Sequence, residues 1–491
     1  MSNRKIKTNC IVAGILLIGI FFRFYQLDYL PADIFGDISE NLNHIADIIK
    51  GNYKIIYGFD AREGLLFYLT APFAKIFGNN YLTLKTITAS IGVLAILAEY
   101  YFVKELTNER VALIAAFLVA VSKWPIIFSR IGFRNILTPM LTAWLLYLFL
   151  KAQKTGKLQY FIGWGLITGI GLYSYPAFRF VIISVGVLAL FQIKNRKYLR
   201  QNLAALLLAG LLFLPMVNDY RQNKAQYTAH INPMMFQSDG TLRSDWLKIL
   251  GLNIKNQVLM YHVKGDVVFR VNPPYQPALD YLSGVFFIIG LGLWLIKGQY
   301  RKNCLIVIIP FLLLQLPSIM VLNFPIDVPS FTRSLPLTVF VYLFIALGLE
   351  QLWSFKIILS LLLCLITGIN AYNYFVIYRD KLPNHNVSFN RYIANKIDQI
   401  EGDRQVFMVG GGWGDWGQPE PPGIRWAIKI RKDTQFVNDV NQVNNNQIKG
   451  KAFIVLPPGQ TQLIQYQKIS RVETFLSEYN EPIFTGVWIN E

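Results

Sequence analysis

Long apolar runs recur along this chain, each wide enough to cross about 30 Å of hydrocarbon, and no other feature limits its fold as tightly. Roughly eleven can be read, near 8–25, 82–105, 110–128, 134–151, 159–175, 177–193, 200–218, 278–297, 303–322, 335–352 and 355–377. In a bilayer every backbone polar group needs an internal partner, which leaves helices as the element for runs of this length. Charged residues make up only 15% of the chain, against about 25% in soluble domains. The reading is an all-α polytopic membrane protein. Leu65–Phe77 is apolar but short and broken by Pro72, which suits a helix lying at the interface. The start, Arg4-Lys5-Ile6-Lys7 followed by the apolar stretch 9–22, has the charge and length of a signal peptide. It lacks a small-residue cleavage site, so an uncleaved first span is expected.

The net charge of +18 is distributed as a topology signal. With the N-terminus cytoplasmic, one side collects Arg4, Lys5, Lys7, Lys104, Arg110, Lys151, Lys154 and Lys157. The same side receives Lys194, Arg196, Lys197, Arg200, Lys297, Arg301, Lys302 and Lys356. That is the positive-inside pattern. The opposite side then receives the loops 26–81 and 219–277 and the tail 378–491. Because the basic residues punctuate apolar runs instead of forming a soluble patch, nucleic-acid binding is excluded as a function class. The expected place is the cell (inner or plasma) membrane, with the site and tail outside. The cysteines Cys10, Cys304 and Cys364 all fall inside apolar runs, without metal-ligand spacing, and read as packing residues.

Ionisable groups packed against a membrane are costly to hold and mark function by default. The first outer loop gathers them in Pro31-Ala-Asp-Ile-Phe-Gly-Asp37-Ile-Ser-Glu40 and again in Asp60-Ala-Arg62-Glu63-Gly64. Leu42, Ile45, Ala46 and Ile48 recur at helical spacing over 37–49, so Asp37 and Glu40 fall in a first turn and can share one helix face. A carboxylate there also serves as ordinary first-turn charge against the helix dipole. Four arginines defy the topology rule: Arg130, Arg134, Arg179 and Arg333. Outward-facing guanidinium groups at membrane depth suit a lipid phosphate, which arginine grips bidentately. The plainer alternative is that each snorkels to headgroups or pairs with a loop carboxylate.

Loop 219–277 is long for a structureless connection and suggests a binding loop or lid. Its aromatic residues, Tyr220, Tyr227, Trp246, Tyr261 and Tyr275, suit either sugar stacking or interfacial anchoring, and His230 and His262 read as structural. From about Tyr378 the composition turns soluble. Strands are expected over Gln405–Val409, Ala452–Leu456 and 482–488, and helices over 391–400 and 461–469, interrupted by the polar run 438–447. This is a small α/β soluble C-terminal domain. Its glycine turn Gly410-Gly-Gly-Trp413-Gly-Asp415-Trp416 lacks the lysine of a phosphate loop and is weak as a nucleotide motif.

Several motifs occur in a fixed order. Asp37 follows its proline-containing loop, then Arg62-Glu63-Gly-Leu-Leu-Phe-Tyr68-Leu and Phe128-Ser-Arg130-Ile-Gly-Phe-Arg134. Tyr173-Ser-Tyr175-Pro-Ala-Phe-Arg179, Asn272-Pro-Pro-Tyr-Gln-Pro277-Ala-Leu-Asp280 and Arg333 complete the set. Together they resemble bacterial membrane glycosyltransferases of family 39, relatives of protein O-mannosyltransferases and of the aminoarabinose transferases that modify lipid A. The resemblance covers roughly residues 8–380. It implies the C-type glycosyltransferase fold over 1–377, a sugar on a polyprenyl phosphate as donor, and transfer with inversion to a hydroxyl acceptor. By position Asp37 matches the family's catalytic loop aspartate and Arg62-Glu63 its second acidic motif. Many relatives show Asp-Glu adjacent, whereas Ile38 follows Asp37 here, so either Glu40 supplies the second carboxylate or none is needed.

The chemistry expected of these residues is transfer to a hydroxyl. Asp37 would act as the base, with Glu63 and Glu40 as the other acidic candidates. Arg130, Arg134, Arg179 and Arg333 would meet charge on the departing phosphate, and Arg62 and Tyr175 would position the substrate. The partners expected are the lipid bilayer, the polyprenyl-phosphate sugar and an acceptor on protein, lipid or glycan. No cofactor is required by the motifs; a divalent metal on the carboxylates stays open. A polyprenyl-linked glycan polymerase or ligase is the alternative enzyme, but would carry its signature in late loops. A transporter would show inverted repeats and polar residues at mid-membrane.

Overall fold

The computed structural model describes residues 3–193, 198–229, 231–411, 413, 421–444, 448–460 and 469–490. His230, nearly all of the stretch 461–469 and most of the glycine turn after Gly411 lie outside the described residues.

Every apolar run lies on helical backbone. The chain opens with α1 (Asn3–Phe24) and α2 (Gly36–Ile49), followed by β1 (Ile56–Tyr57) and β2 (Arg62–Glu63). Then come α3 (Leu65–Phe77), α4 (Tyr81–Leu106), α5 (Glu109–Val121), α6 (Lys123–Arg130) and α7 (Leu137–Thr155). The helices α8 (Leu158–Gly171), α9 (Phe178–Ile193) and α10 (Leu199–Gln222) follow. Among the described residues five helices are long and apolar enough to cross a membrane, and α5 with α6 passes as a sixth although bent by 53°. Helices Tyr281–Ile296, Cys304–Leu313 and Thr338–Glu350 are apolar but shorter. The runs near 159–175, 177–193, 278–297, 303–322 and 335–352 therefore form helices shorter than a straight crossing requires. Pro310 inside Cys304–Leu313 and a following break account for one of these.

Local chemistry sets the helix ends. The side chain of Asn80 caps α4 by accepting from Thr83 N at 2.9 Å, and that of Asn108 caps α5 from Arg110 N and Val111 N at 2.8 and 3.1 Å. Gly156 ends α7 with φ +69°, a conformation other residues avoid. Helix Thr338–Glu350 is buried from Thr338 to Leu349 and forms the axis of the bundle. It meets helix Tyr281–Ile296 backbone to backbone. A Cβ on Gly290 would stand 1.7 Å from the carbonyl oxygen of Phe344, and one on Gly348 2.5 Å from that of Phe286. Small residues at such crossings permit the close approach that membrane helix packing relies on. The helices α8 and α10 use the same device at Gly165 against Ala205.

Two buried cations inside the bundle are tied to backbone carbonyls. Arg23 donates to the carbonyls of Val119 and Ala120 at 3.0 and 3.1 Å. Lys85, fully buried, donates to Leu27 O at 2.8 Å and Pro31 O at 2.5 Å. These bonds hold the exit of α1 against α4, which fixes where the next segment begins.

The region after helix Lys356–Tyr372 carries a five-stranded sheet in the order β4-β3-β5-β7-β6. Its strands are β3 (Gln405–Val409), β4 (Gln435–Val437), β5 (Ala452–Leu456), β6 (Ile469–Leu476) and β7 (Pro482–Ile489). β3 pairs in parallel with β4 and β5, and β7 runs antiparallel between β5 and β6. β5 is buried at all five positions, as a central strand covered on both faces must be. Phe389, Ile393 and Ile397 of helix Phe389–Asp398 pack on one face; Val440 and Val443 pack on the other.

Candidate functional site

Asp37 is the second residue of α2, in the first helical turn. One turn on, Asn41 donates to Gly132 O at 3.2 Å, which fixes the helix face against the turn after α6. Arg62 and Glu63 form β2, paired with β1 in the register Tyr57↔Arg62 and Ile56↔Glu63. Neighbouring strand residues point to opposite faces, so the ladder sends the two side chains into different surroundings.

Arg62 gathers three carboxylates. Its Nη2 lies 3.1 Å from Asp37 Oδ1 and 2.5 Å from Glu40 Oε2. Its Nε donates to both oxygens of Asp60 at 3.0 and 2.9 Å, and Nη1 donates to the Asp37 carbonyl at 3.1 Å. These carboxylates, Asp37 first, raise the arginine's already high pKa against an opposing effect of burial that is larger than any single one of them. Burial pushes the Glu40 carboxyl up, with Arg62 opposing. His44, one turn beyond Asn41 on the same helix, is driven down to about 4 by burial and then by Arg62, so its imidazole is neutral at physiological pH.

Glu63 faces the other way and is 1% exposed. Its Oε1 accepts from Arg179 Nη2 at 2.9 Å, and its Oε2 lies 3.4 Å from Arg134 Nε. Arg134 opens the short helical turn Arg134–Ile136, and its guanidinium stands 5.4 Å from the centre of the Tyr175 ring. The two motifs Arg134 and Tyr175-Pro-Ala-Phe-Arg179, far apart in sequence, thus meet around one buried carboxylate.

Between these groups lies a cavity of about 320 Å³, lined by Arg62, Arg134, Arg270 and Arg333 and by Asp37, Asp60, Asp266 and Asp327. Asp37 lies half-exposed at its wall, with Arg270 Nη2 at 3.4 Å from its second oxygen. Arg333 approaches from the loop before Thr338–Glu350, its Nη2 at 3.3 Å from Met234 Sδ. Asp266 ties two loops together by accepting from Val268 N at 2.8 Å and Phe331 N at 2.7 Å, and burial pushes its carboxyl up to about 7.

Asp37, Arg62, Arg134, Tyr175 and Arg333 therefore share the cavity wall. Glu40 and Glu63 stand behind it, each paired to a lining arginine, and Arg179 reaches it only through Glu63. Arg130 is placed elsewhere. It is fully buried at the end of α6, donates to Phe22 O at 2.9 Å and Leu30 O at 3.3 Å, and lies 5.1 Å from the Tyr374 ring centre. Its charge is turned into the bundle, where carbonyls accept from Nη1 and Nη2. Arg270 escaped the sequence reading, although as a basic residue in loop 219–277, two before Asn272-Pro-Pro, it breaks the same topology rule as the others. Asp266 and Asp327 carried no signal beyond their place in loops.

Among the described residues no three His, Cys, Asp or Glu side chains come together as metal ligands. Asp37, Glu40 and Asp60 do converge, but on the guanidinium of Arg62, which takes the place a divalent cation would need. The arrangement does not fit a metal.

Residues 65–218 match the family described as dolichyl-phosphate-mannose-protein mannosyltransferase. No curated protein matches the chain. Among solved structures, ArnT from Cupriavidus metallidurans in the apo state aligns with a TM-score of 0.61 at 11% identity, covering 99% of this chain and 98% of that one. The same protein bound to undecaprenyl phosphate aligns at 0.59 and 9% identity, with coverage of 99% and 98%. The Archaeoglobus fulgidus oligosaccharyltransferase tethered to an acceptor peptide aligns at 0.53 and 15% identity, over 89% of this chain and 64% of that one. The resemblance to the family-39 transferases holds in sequence over residues 65–218, and the chain shares the overall fold of ArnT.

Proposed function

We propose that the chain is an integral membrane glycosyltransferase that moves a sugar from a polyprenyl-phosphate donor to a hydroxyl acceptor at the outer face, with inversion. The observation that carries this reading is the cavity itself: a half-exposed carboxylate, Asp37, held by Arg62 and Arg270 in a wall that also carries Arg134, Arg333 and three further aspartates. Support comes from the family match over 65–218 and from the shared fold with ArnT, whose structure holds undecaprenyl phosphate.

In the proposed reaction the acceptor oxygen attacks the anomeric carbon and the bond from that carbon to the phosphate oxygen breaks. The acceptor proton passes to Asp37 and the polyprenyl phosphate leaves with the bonding pair. A placed general base contributes about 10²–10⁴ in rate. Arg134, Arg270 and Arg333 supply fixed donors where the phosphate gains charge, and pre-set charge of this kind is worth most in a site closed to water. Arg62 and Arg270 hold Asp37 by both oxygens, so its aim is set before substrate arrives. Glu63 does the same for Arg134. The positive-inside pattern of the sequence supports a cavity on the outer face, with the N-terminus cytoplasmic and the region 378–491 on the cavity's side.

The test is transfer by purified full-length protein in proteoliposomes, using a panel of radiolabelled polyprenyl-phosphate hexoses and pentoses and analysing the product anomer. One donor consumed in an acceptor-dependent way, with an inverted product, is expected. No turnover with any lipid-linked sugar, or a requirement for a nucleotide sugar, contradicts the proposal.

A further inference from the structure

The segment between α1 and Asp37 is gripped from two sides, and one of them is the C-terminal region. From the bundle, Lys85 holds the carbonyls of Leu27 and Pro31, and the Arg130 guanidinium and Tyr374 hydroxyl donate to Leu30 O, each at 3.3 Å. From the other side, Asp33 places its carboxylate on the N-terminus of helix Phe389–Asp398. It accepts from Ser388 Oγ at 3.0 Å, Phe389 N at 3.2 Å and Asn390 N at 3.1 Å. A carboxylate satisfies otherwise orphaned N–H groups there and meets the positive end of the helix dipole. The cap thus comes from a residue more than 350 positions away.

The bonding is reciprocal. Asn386 accepts from Ala32 N and donates to Tyr29 O, both at 2.9 Å, and Asn390 donates to Ile34 O at 2.9 Å. Arg391 forms a two-pronged pair with Asp28, Nη1 to Oδ2 at 2.9 Å and Nη2 to Oδ1 at 2.6 Å. Gly423 comes so close that an added Cβ would lie 2.6 Å from Ile34 O. Every residue of 28–34 is thereby within one bond of a fixed partner, and three residues on comes Asp37. Phe35 carries the restraint into the cavity, since its ring meets Phe269 edge to face at 5.5 Å and lies 6.0 Å from the Arg270 guanidinium.

We infer that Asp33 and Arg391 are positioning residues for the proposed transfer, so that the C-terminal region holds the segment bearing Asp37 in register with Arg62 and Arg270. The inference rests on the function proposed above. Its physical reason is that proximity effects are steep: a shift of about 1 Å can cost about 10²-fold in rate without removing any reacting group.

The experiment compares Asp33→Ala, Asp33→Asn, Asp28→Arg, Arg391→Asp and the Asp28→Arg/Arg391→Asp pair in the full chain. Readouts are hydrogen exchange over residues 28–38, kcat, and KM for the donor. Asp33→Ala and Arg391→Asp are expected to speed exchange in 28–38 and lower kcat about tenfold or more, with donor KM changed less than about twofold. Asparagine keeps one acceptor oxygen, enough for Ser388 Oγ and Asn390 N but not for Phe389 N, so Asp33→Asn should retain more of the rate than Asp33→Ala and less than wild type. The charge-swapped pair should recover both exchange and kcat relative to either single variant, which also controls for misfolding. Faster exchange with unchanged kcat overturns the inference, and so does unchanged exchange in the single variants. Wild-type protein that transfers no sugar, yet shows the coupled exchange, contradicts the proposed function instead.

Discussion

Replacing Glu63 with glutamine removes one buried charge that two arginines answer, and the structure says which of them will suffer. By distance alone Arg179, hydrogen-bonded at 2.9 Å, would rank above Arg134 at 3.4 Å. Burial reverses that order. Arg179 is 35% exposed and can turn its guanidinium to water, so its pairing belongs near the range of exposed pairs, about 0–1 kcal/mol. Arg134 is 14% exposed, reaches only the cavity, and has far less room to turn to water. Breaking a buried pair from one side costs about 3–5 kcal/mol, and the Tyr175 ring beside Arg134 offsets about 1 kcal/mol of that. Glu63→Gln should therefore destabilise the fold by about 3 kcal/mol, near a hundredfold in the unfolding equilibrium. Unfolding in mixed micelles, followed by tryptophan fluorescence, reads this directly. Double-mutant cycles should give Glu63 a coupling of about 2–3 kcal/mol with Arg134 and at most about 1 with Arg179. A Glu63→Gln protein as stable as wild type, or a larger coupling to Arg179, would refute the reasoning.

Three further outcomes follow from the geometry. Arg333→Ala should weaken undecaprenyl phosphate binding by about tenfold or more while the protein stays folded, whereas Arg130→Ala should lower stability, because only the former lines the cavity; titration calorimetry and thermal melts separate the two. Gly290→Leu should abolish assembly of helices Tyr281–Ile296 and Thr338–Glu350, since even a Cβ meets the Phe344 carbonyl, and size-exclusion profiles in detergent should show the loss. Asp266 carries a folded-state pKa raised from 3.8 to about 7, so its contribution is fully present below about pH 4 and is lost as pH rises through 7. That amounts to about 4 kcal/mol, and the slope between pH 4 and 7 should flatten in Asp266→Asn.

Much of the architecture can be read from the residues because membrane helices are written as apolar runs and β5 as an unbroken buried string, Ala452–Leu456. What escaped reading is equally physical. β6 (Ile469–Leu476) mixes polar and apolar residues without regular alternation, is largely exposed and lies at a sheet edge, so it has neither a continuous nor an alternating apolar signal. The short strand Gln435–Val437 exists only through its pairing with β3. Within the site, Asp37 and Arg62-Glu63 stand out because charge in a membrane loop is rare. The sequence could not show that Arg62 would sit among three carboxylates while Glu63, its neighbour, would be buried against Arg134 and Arg179. That split depends on a two-residue ladder with β1. Arg130 and Arg134 look equivalent in Phe128-Ser-Arg130-Ile-Gly-Phe-Arg134. The chain leaves α6 between them, so one guanidinium turns into the bundle and the other toward the cavity.

The central claim is that the Asp37 carboxylate accepts the acceptor's proton in a cavity whose arginines hold the lipid phosphate. Single-turnover transfer by Asp37→Asn, in protein shown to bind undecaprenyl phosphate as tightly as wild type, tests it most directly. The account predicts a fall of about 10²–10⁴ in the rate of sugar transfer with binding retained. A variant that transfers sugar at a rate near that of wild type would contradict it.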